Sequence, residues 1–120
     1  MDESEYCDDI ESNMQHIVER YLYDELVSYQ REYAFGRKKV DFYISCGMGR
    51  KYIVECKYIQ RASAGNVLRD GIMQLLEYGL VANDCGVMYD YLCLFTNEMS
   101  LNCHRLITDY NLPITTVLIE

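Results

Sequence analysis

The sequence predicts an α/β fold, a mixed central β-sheet flanked by helices, and three patterns predict it. An apolar repeat at helical spacing comes first, then β-type segments broken at glycines, and then helical and strand patterns in alternation. In the first region Ile10, Met14, Ile17, Val18, Tyr21, Leu22, Leu26 and Tyr29 recur at helical spacing, so residues 9–29 read as an amphipathic helix that Asp8 or Asp9 can cap. From Arg31 the pattern turns to strands. Tyr33 and Phe35 alternate with smaller or polar residues, Gly36 breaks the run, residues 40–44 follow, Gly47 and Gly49 turn the chain, and residues 51–59 return. This is an antiparallel meander of three strands. Gly65 and Asn66 open a second helix to about Val81, with Val67, Leu68, Ile72, Leu75, Leu76 and Leu80 on or near its buried side. A strand region over 87–96, a helix over 100–109 and a strand over 114–119 complete the order α-β-β-β-α-β-α-β.

With 120 residues, half of them apolar and a quarter charged, the chain is large enough for one core, and 1–120 reads as a single domain with a flexible acidic N-terminus over 1–8. No stretch approaches the roughly 20 apolar residues of a membrane span, and the acidic start lacks the basic and apolar regions of a secretory signal. The expected address is therefore intracellular, the cytoplasm, or the host cytoplasm for a viral chain. Six scattered cysteines form no C-x-x-C pair and read as reduced, small apolar residues. His16 and His104 have no partner at catalytic spacing.

A net charge of −8 argues against a simple nucleic-acid coat, but its distribution is uneven. Nine of the eleven basic residues lie between Arg31 and Arg69 against three acids, so that segment carries +6 and the remainder −14. Within it, strand alternation places Glu55 and Lys57 on one face, with Val54 and Cys56 on the other. Charges inside an apolar strand are costly to bury without partners, which marks a candidate site. Asp41 interrupts another apolar strand between Val40 and Phe42, and a turn near Gly47 can bring it beside Glu55. Two converging carboxylates suit Mg²⁺ or Mn²⁺, and an adjacent lysine supplies charge for a phosphate. The other reading of Glu55 and Lys57 is a water-exposed ion pair on an edge strand.

Asp41 followed on the next strand by Glu55-x-Lys57 resembles the D…(D/E)-x-K signature of the PD-(D/E)xK nucleases. The string 37–41, Arg-Lys-Lys-Val-Asp, with 49–57, Gly-Arg-Lys-Tyr-Ile-Val-Glu-Cys-Lys, is similar to archaeal Holliday-junction resolvases. Gln74 and Tyr78, four apart on a predicted helix, match the Q-x-x-x-Y element of RecB-type nucleases. The usual Pro before the Asp is replaced by Val40. The resemblance spans about residues 10–96 and implies a restriction-endonuclease-like core and a RecB-like, metal-dependent deoxyribonuclease. On that resemblance Asp41, Glu55 and the backbone carbonyl of Cys56 hold Mg²⁺ or Mn²⁺, Lys57 orients or deprotonates water, and Gln74 and Tyr78 support the site. It also implies a glutamate from the first helix. Glu19 matches best, with Glu25, nearer the centre of the apolar stripe, in reserve. Cys7, Cys85, Cys93 and Cys103 lack the tight spacing of an iron–sulfur cluster.

DNA is the expected partner, met by a basic patch of Arg37, Lys38, Lys39, Arg50, Lys51 and Arg61 flanking the site. Two alternatives stand beside this reading: a homodimeric Holliday-junction resolvase, and a catalytically inactive module that binds nucleic acid or docks a protein partner on its acidic surface.

Overall fold

A computed structural model describes residues 14–20, 22, 27–59 and 64–119. Cys7, Asp8, Asp9, Glu25 and Arg61, each singled out above, lie outside these residues, as does the segment 1–8. Residues 14–20 and 22 are helical and form α1. Strands β1 (Ser28–Phe35), β2 (Lys38–Ser45) and β3 (Lys51–Lys57) follow, then helix α2 (Ala64–Cys85), strand β4 (Tyr91–Thr96), helix α3 (Leu101–Asp109) and strand β5 (Ile114–Leu118). The five strands form one mixed sheet in sequence order. The β1, β2 and β3 pairings are antiparallel, and β4 and β5 add parallel to β3 through α2 and α3. This is the α/β order the sequence predicts.

Several boundaries differ: α2 runs on to Cys85 rather than about Val81, and β4 begins at Tyr91 rather than at 87. The first helix was expected to run to Tyr29, yet Ser28 begins β1, Tyr29 pairs with Ile44, and its ring meets Phe42 edge-on at 5.8 Å. Tyr29 is in phase with the helical repeat and equally with the alternation of β1. The sheet pairing and the β preference of tyrosine decide between them.

The sheet is covered on both faces. Met14, Val18 and Leu22 of α1 pack on Phe42, Ile44, Val54 and Cys56. On the other face Leu68, Ile72 and Leu75 of α2, with Cys103 of α3, pack on Val40, Ile53, Leu92 and Leu94. Each large side chain buried here contributes roughly 1.5–3 kcal/mol. Ser100 caps α3, its Oγ accepting from Cys103 N at 3.2 Å. The β1–β2 turn places Gly36 at φ +57° against Cys85 and Val81 of α2, where a β-carbon would be both strained and crowded. None of the five described cysteines forms a disulfide, and three of them are buried. Among the described residues no helix is long and apolar enough to cross a membrane.

Candidate active site

The strand alternation fails at one place, and the candidate site lies there. In β2, Val40 packs toward α2 whereas Phe42 and Ile44 pack toward α1. In β1, Tyr29 faces α1 while Tyr33 and Phe35 face α2. Both strands therefore change face between the paired couples Arg31–Phe42 and Tyr33–Val40, where Glu32 lies across from Asp41. Glu32 has φ +53°, a left-handed conformation costly for a residue with a β-carbon. The break turns the Asp41 side chain to the junction between the α1 layer, the strands and the α2 layer.

The β2–β3 pairing ends at Phe42–Val54. Beyond it the Cys56 N–H donates to Asp41 Oδ2 at 2.7 Å, so a side chain takes the place of a ladder carbonyl. Oδ1 of the same carboxylate accepts from Gln15 Nε2 of α1 at 3.2 Å. Glu55 and Lys57 lie on β3, the middle strand, and face α2. Glu55 is 6% exposed, and Lys57 Nζ is 3.6 Å from its Oε1. The pair is thus interior, not the exposed edge-strand ion pair considered above. Gly71 makes room for it: a β-carbon there would meet Lys57 Cγ and Leu94 Cδ1, each at 3.0 Å. Gln74 and Tyr78 follow Gly71 on the same face of α2, and Tyr78 is buried.

Burial is the main force on the carboxyl groups. It raises the pKa of Asp41, against the Cys56 N–H and the Lys57 charge, which lower it. Burial and then the Asp41 charge push Glu55 up to about 8, with Lys57 and the Tyr78 hydroxyl opposing. Burial, followed by the Glu55 charge, raises Tyr78. Glu55 Oε2 and Gln74 Oε1 are buried without a hydrogen-bond donor. Oxygen acceptors in that condition are uncommon in folded proteins, and a cation satisfies them as a donor would. Among the described residues no group of three or more of His, Cys, Asp and Glu is placed to hold a metal ion.

The remaining expected residues are placed as follows. Glu19 does not reach Asp41: its Oε1 pairs with Arg31 Nη1 at 2.7 Å and its Oε2 accepts from Tyr29 OH at 3.2 Å. Gln15, one turn earlier, holds the position facing Asp41. The single basic patch is also corrected. Arg37, Lys38 and Lys39 lie at the Asp41 end of β2, whereas Arg50 and Lys51 lie at the Ser45 end, roughly 20 Å away at 3.3 Å per residue. Lys38 Nζ is 2.5 Å from Glu77 Oε1, and Lys51 Nζ donates to Ser45 Oγ at 2.7 Å. Gln15, Arg31 and Gly71 went unassigned in the sequence. Arg31 entered only as a charge, and Gln15 and Gly71 carry no motif.

The comparisons with known proteins bear on the family and the fold. The family described as Domain of unknown function (DUF8371) matches residues 4–92, well over half of the chain. The chain belongs to this family. The DUF8371 match contains Gln15, Asp41, Glu55, Lys57, Gln74 and Tyr78 together. No curated protein matches the chain in sequence. A solved repair endonuclease from Pyrococcus abyssi is similar with a TM-score of 0.62 and 12% identity, over 93% of this chain and 46% of that one. A solved complex of EndoMS with double-stranded DNA is similar with a TM-score of 0.58 and 16% identity, over 87% of this chain and 44% of that one. The chain spans less than half the length of either structure. At these identities the likeness is one of fold, so the DUF8371 chain shares a fold found in nucleases.

Proposed function

We propose that the chain is a deoxyribonuclease of the PD-(D/E)xK kind that hydrolyses phosphodiester bonds with Mg²⁺ or Mn²⁺. The observation that carries this reading is the meeting of Asp41 and Glu55 beside Lys57, with buried oxygens of Glu55 and Gln74 lacking donors. Asp41, Glu55 and the Cys56 carbonyl would hold the cation. In an extended strand the N–H and C=O of one residue point to the same side, so the Cys56 carbonyl faces β2 as its N–H does. Magnesium is commonly held by one or two carboxylates together with water and substrate phosphate, which fits this small donor set. When bound, the ion lowers the pKa of water and stabilises the leaving oxygen.

Lys57, its stem packed at Gly71 of α2, places an ammonium beside Glu55, where it orients water and neutralises charge developing on the phosphoryl group. Gln74 and Tyr78 support the site from α2, in keeping with a RecB-like arrangement. Arg37 and Lys39, at the Asp41 end of β2, offer the phosphate contacts nearest the site. The fold likeness to a repair endonuclease and to a protein solved with double-stranded DNA supports DNA as the substrate class.

The test is incubation with linear, circular, single-stranded and four-way-junction DNA in Mg²⁺, Mn²⁺ or EDTA. Cation-dependent cutting of the first three supports the proposal. Cutting confined to junctions assigns the chain to the resolvases, and no cutting of any substrate assigns it to non-catalytic binding modules.

A further inference from the structure

The side chain that reaches Asp41 from α1 is an amide, and its orientation is fixed from behind. Gln15 Nε2 donates to Asp41 Oδ1 at 3.2 Å, while Gln15 Oε1 accepts from Arg31 Nε at 3.0 Å and Nη2 at 2.7 Å. A guanidinium presents those two donors as a rigid fork, so an amide oxygen seated in it turns its NH₂ group the other way, toward Asp41. Arg31 is itself anchored, its Nη1 donating to Glu19 Oε1 at 2.7 Å. The ion pair offsets the guanidinium charge, and what reaches Asp41 is a directed donor on a neutral group. The face change in β1 serves the same arrangement. It leaves Arg31 on the α1 side while Tyr33, two residues on, packs toward α2.

We infer that Gln15 and Arg31 are a positioning pair that fixes the rotation of the Asp41 carboxylate, with Oδ2 anchored to the β3 backbone and Oδ1 to α1. The inference rests on the reading of Asp41 as a cation ligand. It gives α1 a different part from the one the resemblance implies, since among the described residues the helix supplies a donor to a ligand and no carboxylate to the cation. Outer partners of ligating groups commonly affect metal affinity by 10–100-fold when removed.

Calorimetric Mn²⁺ titration of wild type and Asp41→Asn tests the site reading, and Gln15→Met, Arg31→Lys and their double variant test the pair. Methionine keeps the length of glutamine without the donor. Lysine keeps a charge for Glu19 but cannot present the fork. Gln15→Met is expected to weaken Mn²⁺ binding about tenfold, and Arg31→Lys by a smaller factor. The double variant should be no weaker than Gln15→Met, because Arg31 acts only through the Gln15 amide. Circular dichroism checks folding, and Gln15→Ala replaces Gln15→Met should the latter not fold. Losses that multiply in the double variant overturn the pair, as does unchanged affinity in Gln15→Met when Asp41→Asn has lost binding. Equal Mn²⁺ binding by wild type and Asp41→Asn, or none by either, overturns the site reading and the pair with it.

Discussion

The Cys56 N–H donates to Asp41 Oδ2 at 2.7 Å, so the carboxylate of β2 is bonded to the backbone of the strand that carries Glu55 and Lys57. The position of one candidate ligand is thereby tied to that of the other. Moving β3 relative to β2 would disturb both.

Two carboxylates held this close without a cation repel each other and repel phosphate. Asp41→Asn or Glu55→Gln should abolish Mg²⁺-dependent cleavage and weaken Mn²⁺ binding in calorimetry. In EDTA Asp41→Asn should bind DNA as tightly as wild type or more tightly, because a negative charge has gone, and Glu55→Gln should do so above about pH 8, where Glu55 is ionised. Wild-type cleavage rates in both variants would refute the nuclease reading.

Lys57 should behave differently. Lys57→Met keeps the stem that packs against Gly71 and removes the charge. Cleavage is expected to fall by a factor on the order of 10² or more, while Mn²⁺ affinity largely survives and DNA binding weakens. Single-turnover rates and Mn²⁺ titrations on one preparation separate these effects. A loss of Mn²⁺ binding as large as that of Glu55→Gln would mean that Lys57 only supports the carboxylates.

The split of the basic residues gives a third test. Lys39→Ala, at the Asp41 end of β2, should weaken DNA binding and lower the salt slope by roughly one unit per lost phosphate contact. Arg50→Ala and Lys51→Ala, at the far end, should change it less. Lys38 is already paired with Glu77, so Glu77→Gln frees an ammonium and should raise DNA affinity. Equal losses from both ends of the strand would show that DNA contacts the whole length of the sheet.

The element order was legible because the periodicities differ: 3.6 around Met14 to Leu22, near 2 in the meander, and 3.6 again from Leu68 to Leu75. The meeting of Asp41 with Glu55 was legible for the same reason, since the Gly47 turn fixes which residues of β2 and β3 are neighbours. The face change at Glu32 and Asp41 was not. It depends on a positive φ at a glutamate, which no local pattern announces, and it decides that Arg31 turns toward α1 while Tyr33 turns toward α2. Gln15 was hidden likewise, because a polar residue on an amphipathic helix reads as solvent-facing until the sheet supplies its partner. The basic residues looked like one patch because they are near in sequence. A strand of eight residues separates Lys38 from Ser45, and the patch with them.

Glu55 sets a pH dependence of unusual sign. Burial and the Asp41 charge push its pKa from 4.5 up to about 8, so between these values the folded protein holds a proton that the unfolded chain has released. Stability of the cation-free protein should therefore fall as pH rises from about 4.5 to 8, by at most about 1.4 kcal/mol per pH unit for that proton, and then level off. Glu55→Gln is neutral throughout, so it should lack this slope and be the more stable protein near pH 8. Cation binding runs the other way. The ligands must be deprotonated to bind, so Mn²⁺ affinity should rise with pH up to about 8, approaching tenfold per unit. Thermal melts of both proteins in EDTA across this range, with Mn²⁺ titrations on wild type, measure both trends. A wild-type melting temperature that rises or stays flat between pH 5 and 8, in parallel with Glu55→Gln, would mean that Glu55 is already ionised in the fold.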